Sequence, residues 1–343
     1  MKRSEMDSTV GGVEWTSDDS SATEVSRSDR LREFYEEKVY KPAIVAWSDM
    51  RTRIGLSIMM VYVVMAVVAI LGLWRAPESS QAPERYMQPF QNWDFPLGTT
   101  ASGTDIMALI IHSTDEMLLM ILAGGVWATG IALAVGTLAG YKGGKIDQTL
   151  MSISDLVMAI PGLPLVIILA FTFSPENPIF VGIIININYW AGLGRSLRSQ
   201  VLTIREESYV EASRTMGVST PRILRKDIIP NLMPYVTVNF VFAARYVVFA
   251  SVGLYFLGVL PYTQQNWGIT LNRAYSGGAL FAPEAAHWLL APMIVIGVLS
   301  LALILLGQGL DRVFNPRVRT RLTGESESTA AEEDDDTFGG KVM

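Results

Sequence analysis

The chain has 343 residues, half of them hydrophobic and 17% charged, with no cysteine, two histidines and a net charge of −6. A positive mean hydropathy at this length excludes an ordinary soluble domain and points to a membrane protein. The lack of cysteine excludes disulfides and thiolate metal sites, and His112 and His287 stand too far apart, without carboxylates at helical spacing, to suggest zinc.

Much of the acidic surplus sits near the ends, at Asp18 and Asp19 among serines and at Glu325, Glu327 and Glu332 to Asp336. Runs of that kind are normally solvated and disordered. Adaptation to a salt-rich cytoplasm is a sharper reading of the same charges. Residues 1–30 show no apolar period, and the first apolar run begins near Ile54, so neither a fold nor a signal peptide is expected there. Residues 31–50 read either as a membrane-surface helix broken at Pro42, with Leu31, Phe34, Tyr35 and Val39 on its apolar side, or as a flexible lead-in. The division expected is a lead-in over 1–50, a membrane domain over 51–320 and an acidic tail over 321–343.

Six spans are expected. Residues 54–74 form an uncharged run, long enough at ~1.5 Å per residue to cross ~30 Å of hydrocarbon. Residues 75–116 hold four prolines before Gly98 together with scattered acids, the composition of an ordered loop or small cap. The second span, 117–141, carries Gly130 and Gly136 among small residues that let helices approach closely. Gly140, Gly144 and Lys145 faintly resemble a phosphate cradle but fail on spacing, on the residue after the Lys and on the missing strand, so ATP binding by this chain is not expected. The third and fourth spans, 150–174 and 177–194, make a hairpin at Pro175-Glu176-Asn177-Pro178, with Pro161 and Pro164 kinking the third. The fifth covers 232–261 around Arg245, and the sixth covers 285–310. A charge at the depth of Arg245 belongs either to a pathway or to a snorkelling side chain or inter-helix ion pair. Asn186, Asn188 and Asn239 are likewise either pathway amides or inter-helix hydrogen-bonding groups.

The long polar segment between the fourth and fifth spans, within the loop 195–231, predicts two short helices at an angle. The first runs from Ile204 to Met216, and Gly217 suits a left-handed closing residue. Ser219 or Thr220 can cap the second, Pro221 fits its first turn, and Pro230 and Pro234 stop it. With both termini inside, the inner segments hold 23 of the 27 Lys and Arg, against Arg75, Arg85 and Arg273 in outer loops, which turns this segment to the cytoplasm.

Glu211-Ala212-Ser213, then Gly217 and Ile228-Ile229-Pro230, resemble the Glu-Ala-Ala…Gly…Ile-Leu-Pro loop of ABC importer permeases, with Ser213 for the second Ala. Further segments resemble dipeptide and oligopeptide permeases: Pro96-Leu97-Gly98-Thr99 with Gly103 to Ile106, Ile160 to Leu165, Tyr255 to Gly258, Gln265 to Gly268, and Gly307 to Arg312 followed by Asn315-Pro316-Arg317. The resemblance covers roughly residues 50–320. It implies an all-α polytopic fold of the type I importer permease kind, in which residues 206–230 form coupling helices seated in an ATPase subunit. Glu207, Tyr209, Glu211, Ala212, Ser213, Arg214, Gly217, Pro221, Arg222 and Pro230 are the coupling residues it implies. Glu211 and Arg214 would orient the docking helix, Ala212 and Ser213 would permit close approach, and Gly217 would allow the turn. Implied partners are a homologous permease in a heterodimer, two ATPases that carry the ATP and Mg, an extracytoplasmic substrate-binding protein and membrane lipid, with no cofactor on this chain and no nucleic acid.

An enzyme needs converging titratable groups, and the spans lack paired carboxylates, His–Glu motifs and a nucleophile elbow. Asp155 alone lies near the start of a span, whereas a proton-coupled carrier usually needs more such groups. The expected function is the membrane subunit of an ATP-driven peptide importer, at the cytoplasmic membrane. Nickel chelates, glutathione or oligosaccharides are alternative cargoes for the same family, and a secondary carrier is the remaining alternative.

Overall fold

The computed structural model describes Trp47 and residues 49–314, apart from 81, 83, 263 and 264. The expectations for the lead-in, the acidic tail and Asn315-Pro316-Arg317 lie outside the described residues. The regular elements among them are helices, with one isolated bridge between Thr99 and Asp105.

Helix α1, Met50–Ile70, starts four residues before the expected span because Asp49 caps it, accepting from the N–H groups of Arg51 and Thr52 at 3.0 Å. It ends where Gly72 takes a φ of 62°, a left-handed conformation that costs glycine little. The loop that follows is pinned by its own turns. Asp105 then opens α2, Ile106–Lys142, by accepting from Met107 N–H at 2.9 Å. Helix α2 therefore begins eleven residues before the expected 117. Its 37 residues extend ~55 Å, more than a hydrocarbon core needs, so Asp115 and Glu116 belong to the helix rather than to the loop.

Helices α3, Gly144–Ala159, and α4, Gly162–Phe173, meet at 83°. The expected kink is thus a full break. Pro161 disfavours helix at the residue before it, and Ile160 is extended (φ −78°, ψ 123°), whereas Pro164 sits in the first turn of α4 without disturbing it. The expected fourth span is also divided, into α5, Pro178–Ile185, and α6, Tyr189–Ile204, by a turn at Asn186 to Asn188. Helix α7, Ser208–Thr215, follows after a break at 205–207, so the helix expected from Ile204 onward starts later.

Helix α8, Thr220–Ile223, does not stop at Pro230. It runs through a π-helical stretch, Leu224–Ile228, into α9, Ile229–Phe256, with Pro230 in the first turn and Pro234 inside. The wider π turn, in which Ile229 N–H bonds to Leu224 C=O, admits a proline that would otherwise interrupt the ladder. Helix α10, Trp267–Ser276, a single 3-10 turn at Pro283–Ala285 and α11, Ala286–Phe314, complete the described chain.

Among the described residues four stretches are long and apolar enough to cross a membrane: α1, α2, 220–256 and 283–311. The bent pair α3–α4 makes a fifth if it counts as one span. The expected six are therefore four or five by length and composition. Helix α2 is the axis on which α5, α6 and α9 pack, while α11 covers α1 and α9. Close approach along α2 falls at Gly124 and Gly136, where an added Cβ would stand 2.6 Å from Gly182 O and 2.7 Å from Gly194 O. Gly130, expected in this role, faces open space. Helices α1 and α11 are joined by Tyr62 Oη donating to Val295 O (2.5 Å) and by Arg51 donating to Gln308 (2.8 Å).

Candidate docking and translocation sites

The segment from Glu207 to Pro230 is held to the bundle by a few aliphatic anchors. Val210 of α7, Ile223 of α8 and Ile228 are buried against Leu197 and Val201 of α6 and against Ala132 of α2. Each such burial contributes about 1.5–3 kcal/mol, enough to seat the pair of helices while leaving their other faces free. Glu207, Tyr209, Glu211, Ala212, Arg214, Gly217, Pro221, Arg222 and Pro230 are exposed and Ser213 is half-buried.

Between α7 and α8 the chain reverses at Gly217, whose φ is 74°. Three N–H groups close the turn: Met216 to Ala212 O, Gly217 to Arg214 O and Val218 to Ser213 O, all at 3.0–3.1 Å. Ser219 occupies the cap position of α8, but its side chain makes no capping bond. The Glu211–Arg214 pair spans 3.7 Å with about two-thirds of each side chain exposed, so it contributes little to stability. Tyr209 ties α7 to α9 by accepting from Asn231 Nδ2 at 3.2 Å, and the same amide donates to Asp227 O at 2.6 Å. Partial burial first, and the negative charges of Glu207 and Asp227 next, push the Tyr209 hydroxyl up from its ordinary value and keep it protonated. Behind α7 lies an open cleft of about 740 Å³ with Lys142, Arg205 and Arg214 on one hand and Glu206 and Glu211 on the other. Arg205 also donates to Gly140 O at 2.9 Å, securing the end of α2.

Of the polar residues singled out inside the spans, Asn186 lies where the turn between α5 and α6 meets α9. Asn186 is fully buried and donates to Ala243 O at 3.3 Å. Asn188 faces Gly162, and the ring of the next residue, Tyr189, lies 5.9 Å from that of Tyr246. Arg245 is half-buried within electrostatic reach of Tyr189 and forms no ion pair among the described residues. Asn239 bonds within its own helix to Tyr235 O (2.8 Å) and borders a separate cleft of about 560 Å³ with Gln308 and Asp311.

Sequence reasoning missed two ion pairs that hold α3 to α6, Asp147 with both Nε and Nη2 of Arg198, and Asp155 with Arg195. The partners lie at least 40 positions apart, so no local spacing advertises them.

The sequence pattern of the family described as the binding-protein-dependent transport system inner membrane component matches residues 132–320, just over half of the chain. The chain belongs to that family. As a binding-protein-dependent transport component, it is similar to the dipeptide transport system permease protein DppC of Bacillus subtilis, at 28% identity over 80% of this chain and 85% of the relative. It is also similar to the oligopeptide transport system permease protein OppC of Bacillus subtilis, at 27% over 82% and 93%. The corresponding protein of Mycobacterium tuberculosis strain H37Rv is 28% identical over 66% of this chain and 78% of its own. The matched stretch of this transport component begins inside α2 and includes the whole 207–230 surface. Membership makes the protein a multi-pass membrane component of a transport system rather than a catalyst.

Proposed function

We propose that the chain is the membrane subunit of an ATP-driven importer of small peptides, worked through residues 206–230 by ATPase subunits that carry the ATP and Mg. The observation that carries this reading is mechanical: the exposed α7–α8 turn runs without interruption through the π stretch into α9, so a push on the surface is delivered to a membrane-crossing helix. The names of the curated relatives support peptides as cargo.

In this reading α3–α4 and α5–α6 are broken spans that bring the crossings to six, and both termini face the cytoplasm, as the Lys and Arg distribution supports. A homologous permease completes a heterodimer, and a substrate-binding protein delivers cargo from outside. Closure of the ATPases favours one of two arrangements of α7–α8, and α9 passes the change to the break at Asn186–Asn188 and to Arg245. The acidic surplus supports a salt-adapted cytoplasm. Loss of activity in high potassium chloride would count against that last point.

The test is reconstitution of the permease pair, ATPases and binding protein in proteoliposomes. Uptake of peptide that requires ATP and all partners supports the reading. Peptide uptake by the permease alone, or protease access to residues 206–230 from the outer face, overturns it.

A further inference from the structure

Two loops at one end of the bundle display aromatic rings that the coupling mechanism leaves unused. Between α1 and α2 the backbone turns tightly over residues 88–96. Phe90 N–H donates to Pro96 O at 3.1 Å, Phe95 N–H to Asn92 O at 3.0 Å, and Asp94 N–H to the Asn92 side chain at 2.9 Å. Met87 and Phe95 anchor the turn by burial, and the Arg75 guanidinium lies 4.9 Å from the centre of the Phe95 ring. The tip is free of the core. Phe90 and Trp93 are 66% and 78% exposed, with their rings edge to face at 6.2 Å. Phe90 also holds a left-handed φ of 63°, which is unfavourable for a bulky side chain. A turn fixed by its own hydrogen bonds therefore keeps two rings out in water.

The chain between α10 and α11 joins this turn. Gln88 Nε2 donates to Glu284 O at 2.6 Å, and the rings of Tyr86 and Trp288 lie 6.5 Å apart. That second loop exposes Leu280 and Phe281, the latter by 84%. Large apolar side chains held out on joined, rigid loops mark a surface that a partner covers.

Lipid fits this surface poorly for two reasons. The uncharged stretch of α2 that suits hydrocarbon begins at Met117, and Asp105, bridged to Thr99 at the foot of the first loop, stands ~18 Å before it along the helix. The charges exposed on the two loops and the adjoining α10 are Glu78, Glu84, Asp94 and Glu284 against Arg75, Arg85 and Arg273. Arg75 is itself drawn to Asp105, 3.9 Å away, so no surplus of cations is offered to an anionic bilayer.

We infer that the Phe90 and Trp93 turn, together with Leu280 and Phe281, is the surface on which the substrate-binding protein docks. The binding protein meets it with an apolar pocket, and Asp94 beside Trp93 favours a Lys or Arg at the rim of that pocket. The inference rests on the importer reading above, which puts these loops outside. Rings already held in place lose little conformational freedom on binding, so they serve as anchors.

The test uses the complete assembly of permease pair and ATPases in nanodiscs and the fluorescently labelled binding protein of the same system. Trp93→Ala should weaken binding about tenfold and Phe90→Gly, which keeps the left-handed turn while removing the ring, about threefold, whereas Trp93→Phe should recover most of the affinity. In proteoliposomes the binding-protein concentration that gives half-maximal uptake should rise by the same factors, with the rate at saturating binding protein unchanged. Affinity unaltered by both ring deletions overturns the docking surface. So does a fall in maximal uptake with affinity intact, or failure of the permease pair to assemble in Trp93→Ala, which puts the rings between the permeases. Quenching by brominated lipid that disappears in Trp93→Phe, with binding unaltered in Trp93→Ala, places the rings in the membrane and also overturns it. A wild-type assembly that neither holds the binding protein nor imports peptide overturns the importer reading itself, a distinct result that removes the docking surface with it.

Discussion

Gly217→Val isolates the turn between α7 and α8. At Gly217 an added Cβ meets nothing within 4 Å, so the effect is chiefly conformational. Its φ of 74° lies in the left-handed region, where an ordinary L-residue costs about 1–2 kcal/mol and a β-branched one more. Since 1.4 kcal/mol is a factor of ten, about one order of magnitude in the population of the closed turn is at stake. The N–H bonds of Met216, Gly217 and Val218 would loosen together, and α7 would keep Val210 as an anchor while losing its fixed angle to α8. In proteoliposomes, peptide taken up per ATP hydrolysed should fall roughly tenfold, with membrane insertion and assembly retained. Gly217→Asn, which tolerates the left-handed region, should behave nearly as wild type. Normal uptake by the valine variant refutes the assigned role. An asparagine variant as impaired as valine refutes the conformational explanation.

Three other outcomes follow from the packing. Gly136→Ala drives a methyl to 2.7 Å from Gly194 O and from Leu197 Cβ and should destabilise the detergent-solubilised protein by about 1–3 kcal/mol, while Gly130→Ala, with open space before it, should leave the melting temperature unchanged. Asp147→Asn removes the charged partner of Arg198 at a half-buried contact and should cost about 1–3 kcal/mol in unfolding, and adding Arg198→Gln should cost less than the sum of the two single changes. Burial pushes the Asp105 carboxyl up from its ordinary 3.8, ahead of the opposing hydrogen bond from Trp74, so the folded chain holds that proton more firmly than the unfolded one. The stability this gives is present below 3.8 and is lost as pH rises through the raised value. Melting temperatures across the acid range should therefore fall less steeply in Asp105→Asn, whereas Asp105→Ala should lose about 1 kcal/mol of helix capping at every pH.

The amino-acid sequence by itself determined the membrane class, the order of the apolar stretches, the exposed polar segment and the left-handed residue at its centre. Those properties are local: hydropathy sums over a window, and the cost of a positive φ belongs to one residue, Gly217. Helix limits were less legible, because a hydropathy window stops at Asp115 and Glu116 while the backbone ladder of α2 runs on past both, from Asp105. Pro161 announced a disturbance but not its angle of 83°. Pro230 read as a stop and proved part of a continuous helix, because a π turn before it changes which carbonyls need a partner.

Tertiary structure alone decided which glycines mediate close packing, Gly124 and Gly136 rather than Gly130, since that depends on the helix lying opposite. It alone joined Asp147 to Arg198 and Asp155 to Arg195, and brought the ring of Tyr189 to 5.9 Å from that of Tyr246. Contact between distant residues is fixed by how the helices cross, and no spacing within a single helix carries that information.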